Sequence, residues 1–230
     1  MIIKNNFTNT ELSRLHEFKY KYFDLYPSNL QEEIENNLFL GFTNNEDTIN
    51  QIYCYLNLIE DNINPYNAFI KYLETEFNLQ DLNILEVGSG SIPILAHSIE
   101  NKYKKKVDIQ DPITLFANYT KGNIYKDLFN ESTDISNYDL IIGYNPCEAT
   151  ENIIINAIKN KKDFSVATCG CCHLPSKYKE KNPNLWHQYL IDIAQKLGKN
   201  NYKIKISYFS KNYHLENPII TGLYKKSTNM

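Results

Sequence analysis

The segment LEVGSGSIP, residues 85–93, combines residue types that suit a turn around a ligand. Gly88 and Gly90 allow the backbone to turn tightly and to approach a bound molecule closely. Pro93 suits the first turn of a helix, because its backbone angle already matches helical geometry. Glu86 places a carboxylate two residues before the turn. The pattern predicts a strand, a loop that contacts a ligand, and the start of a helix.

Two familiar nucleotide-binding loops fit this segment poorly. A dinucleotide-binding loop favours a third glycine for close packing of helix and strand, but this chain has Pro93 at that position. Such a loop also does not usually carry an acid where this chain has Glu86. A phosphate-binding P-loop requires Gly-Lys-Ser or Gly-Lys-Thr after the turn, and that sequence does not follow here.

The segment YNPCE, residues 144–148, contains a second set of residues that could take part in catalysis. Asn145 could orient a nucleophile, and Glu148 could accept its proton. Structural roles are the alternative. Asn-Pro is typical of turns, and an acid such as Glu148 is stabilised at the N-terminus of the helix that the following residues predict.

The segment CGCCH, residues 169–173, is the most distinctive in the chain. Its thiols, with Cys147 and the imidazole of His173, could bind zinc. However, neighbouring residues such as Cys171 and Cys172 point in different directions and seldom share one tetrahedral ion. We therefore predict no metal, and thiols that line a pocket. His173 could act near neutral pH beside a reacting group, or it could be a structural histidine.

The composition predicts an ordinary globular protein with no membrane association. Apolar residues make up 42% of the 230 positions and charged residues 22%, which allows one well-filled core. No apolar run approaches the roughly 20 residues of a membrane-spanning helix, and the first residues lack the pattern of a signal peptide. An odd set of five cysteines suits a reducing compartment. We therefore expect a cytoplasmic protein.

Charge and arginine content favour a small-molecule partner over nucleic acid. The formal net charge is −3 and the pI is about 6.0, so no global field attracts a polyanion. Arg14 is the only arginine, and lysine cannot reproduce the bidentate contacts of a guanidinium group with phosphate or guanine. A coding sequence rich in A and T would also explain the low arginine content, so an RNA partner remains the alternative.

The chain changes character near residue 82. The segments before this point carry apolar residues at spacings of three and four, which predicts helices. These segments are 10–26, 29–42, 45–63 and 65–77. After it, short β-rich runs alternate with helical ones, which predicts a parallel sheet with helices on both faces. We therefore predict two domains, a helical lobe over residues 1–81 that forms a lid, and a sheet domain over residues 82–230.

The end of the sheet domain departs from this alternation. Segments 202–210 and 217–226 both have the pattern of strands. The connection between them is too short for a helical crossover, so we expect them to pair antiparallel.

The motif Glu86-Val-Gly88-Ser-Gly90, with Asp111, YDLIIGYNP and the predicted hairpin, resembles the class I S-adenosylmethionine-dependent methyltransferases. The resemblance covers about residues 82–226. It implies an α/β fold with a seven-stranded, doubly wound, mostly parallel sheet and a C-terminal antiparallel hairpin, here preceded by the α-helical lobe. This hairpin distinguishes the fold from simple dinucleotide-binding sheets. Together with Pro93, the hairpin opposes an NAD-dependent oxidoreductase.

The resemblance also implies a cofactor site for S-adenosylmethionine. The loop Gly88-Ser89-Gly90 would accommodate the methionine part, and Glu86 would organise the loop and the amino group of the cofactor. Asp111 stands where the family has the acid that accepts the ribose hydroxyls. A carboxylate at the end of the second strand is chemically suited to that role.

The adenine and acceptor positions match the family less closely. Asn123 occupies the place where many members have an aspartate that contacts the adenine amine, and Asp127 is the competing candidate. Asn145 and Pro146 match the start of the family's Asn-Pro-Pro-aromatic motif, beside both the cofactor and the acceptor. The next residues here are Cys and Glu, so the amine-methylating version of the motif is not implied.

These observations predict methyl transfer from S-adenosylmethionine to an N, O or S nucleophile of a small molecule or an RNA base. The catalytic candidates are Asn145, Glu148 and His173. The alternative is a catalytically silent protein that binds S-adenosylmethionine as a sensor or scaffold.

Overall fold

The structure is a computed structural model that describes residues 65–90, 93–114, 120–169, 183–209 and 217–225. The predicted helices between residues 10 and 63 lie outside these ranges. So do four residues of the CGCCH segment, since only Cys169 of that segment is described. In the described ranges, no helix is long and apolar enough to cross a membrane.

The described residues form helices and strands close to the predicted ones. The helices are α1 (Pro65–Glu76), α2 (Ile94–Tyr103), α3 (Ala149–Lys159) and α4 (Pro183–Gly198). The strands are β1 (Ile84–Val87), β2 (Asp108–Gln110), β3 (Ile124–Tyr125), β4 (Leu140–Tyr144), β5 (Asp163–Ala167), β6 (Tyr202–Tyr208) and β7 (Pro218–Tyr224).

The strands form one seven-stranded sheet in the order β3-β2-β1-β4-β5-β7-β6. The first five strands along the chain pair in parallel. Strand β7 pairs antiparallel with both β5 and β6, which confirms the predicted terminal hairpin. The predicted α/β fold class, a mostly parallel doubly wound sheet that ends in an antiparallel hairpin, is therefore confirmed.

Helices cover both faces of the sheet and define two apolar cores. Helices α1 and α2 pack on one face, where Phe69 and Ile99 are fully buried. Helices α3 and α4 pack on the other face, around Ile153 and Trp186. Because side chains alternate along a strand, Leu85 and its neighbours in register point into the second core. Each core buries apolar side chains from several strands, which stabilises the sheet between two helical layers.

Helix α1 packs directly against the sheet, although its apolar spacing resembles that of the predicted helices before it. The Tyr72 hydroxyl lies 2.9 Å from Thr221 Oγ1 on β7. Glu76 forms an ion pair with Lys205 on β6. The predicted domain boundary between residues 81 and 82 stays a prediction, because residues 1–64 lie outside the described part of the chain.

A buried carboxylate joins α2 to the segments that lead into β2 and β3. Glu100 is buried and accepts hydrogen bonds from the backbone N–H groups of Val107, Lys121 and Gly122. The Thr120 hydroxyl donates a further bond of 2.9 Å. These bonds satisfy backbone donors at the amino edge of the sheet, opposite the edge where ligands bind in such folds.

Candidate functional site

The predicted functional loops meet at the carboxyl edge of the sheet, around β1. Strand β1 lies between β2 and β4, so connections leave it in both directions. This is the switch point of an open α/β sheet, where ligands bind beyond the strand ends. Gly88 follows β1, Asp111 follows β2 and Asn145 follows β4. Three of the predicted site segments therefore lie side by side.

The glycine loop has a backbone that other residues adopt only with strain. Gly88 and Gly90 have φ angles of +73° and +71°. A Cβ on Gly88 would lie 2.7 Å from both Cα and Cβ of Pro146, closer than real Cβ atoms approach other atoms. The first position therefore needs glycine both for its conformation and for its contact with the loop after β4.

Asp111 holds this loop against the end of β2. One carboxylate oxygen accepts a hydrogen bond of 2.8 Å from Gly90 N–H, and the other accepts one of 2.7 Å from Ile113 N–H. The side chain is 5% exposed. A carboxylate oxygen can accept more than one hydrogen bond, which makes this side chain chemically suited to sugar hydroxyls.

Ser89 is held inside the loop. Its hydroxyl lies 3.2 Å from both the Gly90 carbonyl oxygen and the Thr114 hydroxyl. The side chain is buried. Its hydrogen bonds therefore link the glycine loop to the segment that follows Asp111.

Glu86 lies beneath the loop and holds the start of α2. The side chain is 2% exposed, and Oε2 accepts a 2.8 Å hydrogen bond from Ala96 N–H. Burial raises the pKa of Glu86 to about 8. The Ala96 N–H lowers this pKa, whereas the charges of Asp111 and Glu100 raise it further. Ala96 lies in the first helical turn, where backbone N–H groups lack partners within the helix, so Glu86 supplies one.

The loop after β4 is strained on both sides of Pro146. Asn145 and Cys147 have φ angles of +50° and +49°, a conformation that costs non-glycine residues about 1–3 kcal/mol each. Asn145 N–H donates to the Ala167 carbonyl at 2.8 Å, and the Thr150 hydroxyl donates to the Cys147 carbonyl at 2.8 Å. Strain of this kind is concentrated at functional sites.

Glu148 occupies the N-cap position of α3 and is exposed. Among the described residues, its side chain forms no capping hydrogen bond. An exposed carboxylate at this position is compatible with both alternatives from the sequence, a proton acceptor and a stabilising charge at a helix N-terminus.

The structure separates the two candidates for the adenine contact. Asn123 lies at the amino end of β3, where its Nδ2 donates to both carboxylate oxygens of Asp108 at 3.3 and 3.2 Å. The Tyr138 hydroxyl binds the same carboxylate at 2.8 Å. Asn123 therefore lies before the strand, and its assignment to the adenine contact stays a prediction. Asp127 is exposed in the loop after β3, at the carboxyl edge.

The cysteine-rich segment is described only at its start. Cys169 is buried just beyond β5, and its carbonyl oxygen lies 3.3 Å from His187 Nε2. Burial lowers the pKa of His187. His173, Cys171 and Cys172 lie outside the described residues, so the predicted role of His173 stays a prediction. Within the described ranges, no three His, Cys, Asp or Glu side chains form a group that could hold a metal ion.

Sequence reasoning missed several residues at this edge. Ile113 and Leu128 are large apolar side chains with exposed fractions of 36% and 74%. They lie in the loops that carry Asp111 and Asp127. Gln110 is a buried polar residue at the end of β2. Its place directly before Asp111, at the carboxyl end of the strand, was the signal that could have identified it.

Comparison with known proteins found resemblance in structure alone. No protein-family model matches the chain, and no curated protein matches it. Magnesium protoporphyrin IX methyltransferase from Synechocystis PCC 6803, with bound SAM, is 12% identical over 95% of this chain and 99% of that chain, with a TM-score of 0.45.

Two further structures resemble the chain to a similar degree. A methyltransferase from Pyrococcus furiosus is 15% identical over 69% of this chain and 82% of that chain, with a TM-score of 0.44. A chain of a fibrillarin/Nop5p complex is 15% identical over 63% of this chain and 73% of that chain, with a TM-score of 0.44. By its own strand order, terminal antiparallel hairpin and glycine loop, this chain has the fold of the class I S-adenosylmethionine-dependent methyltransferases.

Proposed function

We propose that this protein transfers the methyl group of S-adenosylmethionine to a nucleophile. The observation that carries the proposal is the hydrogen bond from Gly90 N–H to Asp111 Oδ2, 2.8 Å long. It joins a tightly turned glycine loop to a carboxylate at the switch point of the sheet. A nucleoside with an amino-acid extension needs these two features together, because the extension crosses a backbone loop while the sugar hydroxyls need an acceptor.

Different residues at this edge would bind different parts of the cofactor. The loop from Gly88 to Gly90 would contact the methionine part, and Asp111 would accept hydrogen bonds from the ribose. Asp127 would accept a hydrogen bond from the adenine amine. The exposed side chains of Ile113 and Leu128 would cover the flat faces of the base, since apolar surface suits an aromatic ring.

Glu86 would support the cofactor by holding the loop that contacts it. Its Oε2 accepts the Ala96 N–H at 2.8 Å, and the side chain is buried beneath the glycine loop. A positively charged amino group of the cofactor close to Glu86 would favour the ionised form of this carboxyl. We therefore assign Glu86 to holding the glycine loop and the start of α2 in place.

Methyl transfer requires alignment of the acceptor with the methyl group. The sulfonium supplies an electrophilic methyl carbon, and attack by the acceptor leaves S-adenosylhomocysteine and a proton. Asn145 would orient the nucleophile, because the strained loop presents it beside the glycine loop. Glu148 would take the proton, since it is exposed two residues after Pro146. A small-molecule acceptor is favoured over an RNA base by the net charge of −3.

Two measurements test the proposal. Calorimetric titration should detect binding of S-adenosylmethionine and S-adenosylhomocysteine, and no binding of NAD. Incubation with S-adenosylmethionine labelled in its methyl group and a cell extract should then transfer label to an acceptor. Binding without transfer would favour the alternative, a silent sensor or scaffold. Binding of NAD in place of both methionine nucleosides would overturn both functions.

A further inference from the structure

The Gln110 side chain is a buried polar group at the carboxyl edge of the sheet. Gln110 ends β2 and is 7% exposed. Its backbone carbonyl accepts the Gly88 N–H at 3.1 Å. Within the described ranges, by contrast, its side-chain amide forms no hydrogen bond. A primary amide offers two donors and an acceptor, and buried amides in native proteins nearly always have partners.

The register of the sheet shows which face carries this amide. Gln110 is opposite Val87 in the parallel pair of β2 and β1. Paired residues of neighbouring strands point to the same face, and Val87 belongs to the core beneath α3 and α4. The Gln110 side chain therefore leaves the sheet on the α3 face, whereas Asp111, the next residue, faces the other way.

The loop that carries Asp127 lies on the same face. Asn152 Nδ2 donates to the Phe129 carbonyl at 3.4 Å, and Asn156 Nδ2 donates to the Asn130 carbonyl at 2.9 Å. These bonds attach the loop after β3 to α3. A base held near Asp127 would therefore lie on the side of the sheet to which Gln110 points, at the end of the neighbouring strand.

We propose that the Gln110 amide binds the adenine base of the cofactor. The amide oxygen would accept from the exocyclic amine, and the amide N–H would donate to an adjacent ring nitrogen. This two-bond pairing is the geometry by which Asn and Gln recognise adenine. The proposal rests on the proposed function, because it assigns a partner within the same nucleoside site.

The proposal has a distinctive signature in a Gln110→Met variant, which keeps side-chain length and removes the amide. If Gln110 only stabilises the fold, this substitution should lower the Tm of the protein. If the amide binds a ligand and has no partner in the described part of the chain, its removal should leave Tm unchanged or raise it, because an unsatisfied polar group has been removed. Affinity for S-adenosylhomocysteine should nevertheless fall roughly 10- to 100-fold.

The experiment combines calorimetry and thermal unfolding of the full chain with three ligands: S-adenosylhomocysteine and its 1-deaza and 7-deaza adenine analogues. The wild type should bind one of the two analogues at least about tenfold more weakly, whereas Gln110→Met should not distinguish that analogue from the parent. Gln188→Met, at an exposed glutamine on α4, is the matched control and should change neither Tm nor affinity.

Each outcome decides the proposal. Equal affinity of wild type and Gln110→Met for S-adenosylhomocysteine would overturn the assignment of Gln110 alone, and the cofactor site would stand. A joint fall in Tm and affinity, or wild-type binding that is indifferent to both ring nitrogens, would also overturn it. Failure of the wild type to bind S-adenosylhomocysteine would instead reject the proposed function, and this inference with it.

Discussion

Asp111 and Gly90 are joined by a hydrogen bond of 2.8 Å from the backbone N–H of the loop after β1 to the carboxylate after β2. The two residues are separated by 21 positions in the chain, and the helix α2 lies between them. The bond therefore closes the β1-α2-β2 unit at its ligand-binding edge. It makes the shape of the glycine loop dependent on a side chain that would also bind the ribose.

Removal of this carboxylate should weaken cofactor binding severely. Asp111→Ala deletes the acceptor of both the Gly90 and the Ile113 N–H groups, and hydrogen bonds to charged groups contribute about 1.5–3 kcal/mol each. We expect affinity for S-adenosylhomocysteine to fall at least about 100-fold in calorimetry. Asp108→Ala, at the opposite end of β2, is the control and should lower Tm without a comparable loss of affinity. Unchanged affinity in Asp111→Ala would contradict the assignment.

A methyl group on Gly88 should disturb both loops of the site. In Gly88→Ala the new Cβ would lie 2.7 Å from Pro146, and φ of +73° would also be strained. We expect a loss of about 1–3 kcal/mol in the free energy of unfolding and at least about tenfold weaker binding of S-adenosylhomocysteine. Gly198→Ala, far from this edge, should leave affinity unchanged. Urea unfolding and calorimetry check both expectations, and a Gly88→Ala protein with wild-type affinity would contradict them.

The buried Glu86 carboxyl should make stability depend on pH. Its folded pKa of about 8 lies above the unfolded value of 4.5. The stabilising contribution is therefore complete below pH 4.5 and is lost as pH rises through about 8. Glu86→Gln keeps an acceptor for the Ala96 N–H but cannot ionise, so its unfolding free energy should fall less with rising pH. The slope should differ by up to roughly 1.4 kcal/mol per pH unit. Parallel curves in urea unfolding from pH 5 to 8.5 would reject this explanation.

Glu100 should matter for stability and not for ligand binding. In Glu100→Gln the side chain keeps only one oxygen that can accept hydrogen bonds from the backbone N–H groups of Val107, Lys121 and Gly122. Its NH₂ group cannot accept them. We expect a loss of about 1–3 kcal/mol in unfolding free energy and unchanged affinity for S-adenosylhomocysteine. Glu131→Gln, which breaks only an exposed ion pair with Lys159, should change stability by less than about 1 kcal/mol. Equal effects of the two variants would refute the role given to Glu100.

The Thr150 hydroxyl should hold the strained loop after β4 in its functional shape. Thr150→Val removes the hydroxyl that donates to the Cys147 carbonyl at 2.8 Å and keeps the side-chain shape, while the Thr150 N–H still donates to the same oxygen at 3.2 Å. We expect transfer of labelled methyl to fall about tenfold or more, while affinity for S-adenosylhomocysteine stays within about twofold, because the lost bond positions the acceptor loop. Thr150→Ser retains the hydroxyl and should restore transfer. If Thr150→Val transfers methyl at the wild-type rate, the hydroxyl does not position the loop.

Local sequence determined the elements of the sheet domain and the edge at which chemistry could occur. Patterns of apolar residues located the strands other than β3, which lies in a polar stretch. The short connection before residue 217 required an antiparallel hairpin. Because the loops after parallel strands share one edge, the sequence alone predicts that Gly88, Asp111 and Asn145 lie close together. These inferences succeed because they depend on the spacing of residues along the chain, and because backbone sterics restrict each short segment to few conformations.

Tertiary structure alone decided which polar residues reach that edge. Asn123 and Asp127 are four positions apart, and only the tertiary structure shows that the first precedes the two-residue strand β3 whereas the second follows it. The contact between Gly88 and Pro146 and the burial of the Gln110 amide likewise depend on how distant strands pair. Hydrogen-bond partners and burial arise from segments far apart in the chain, so no local pattern specifies them.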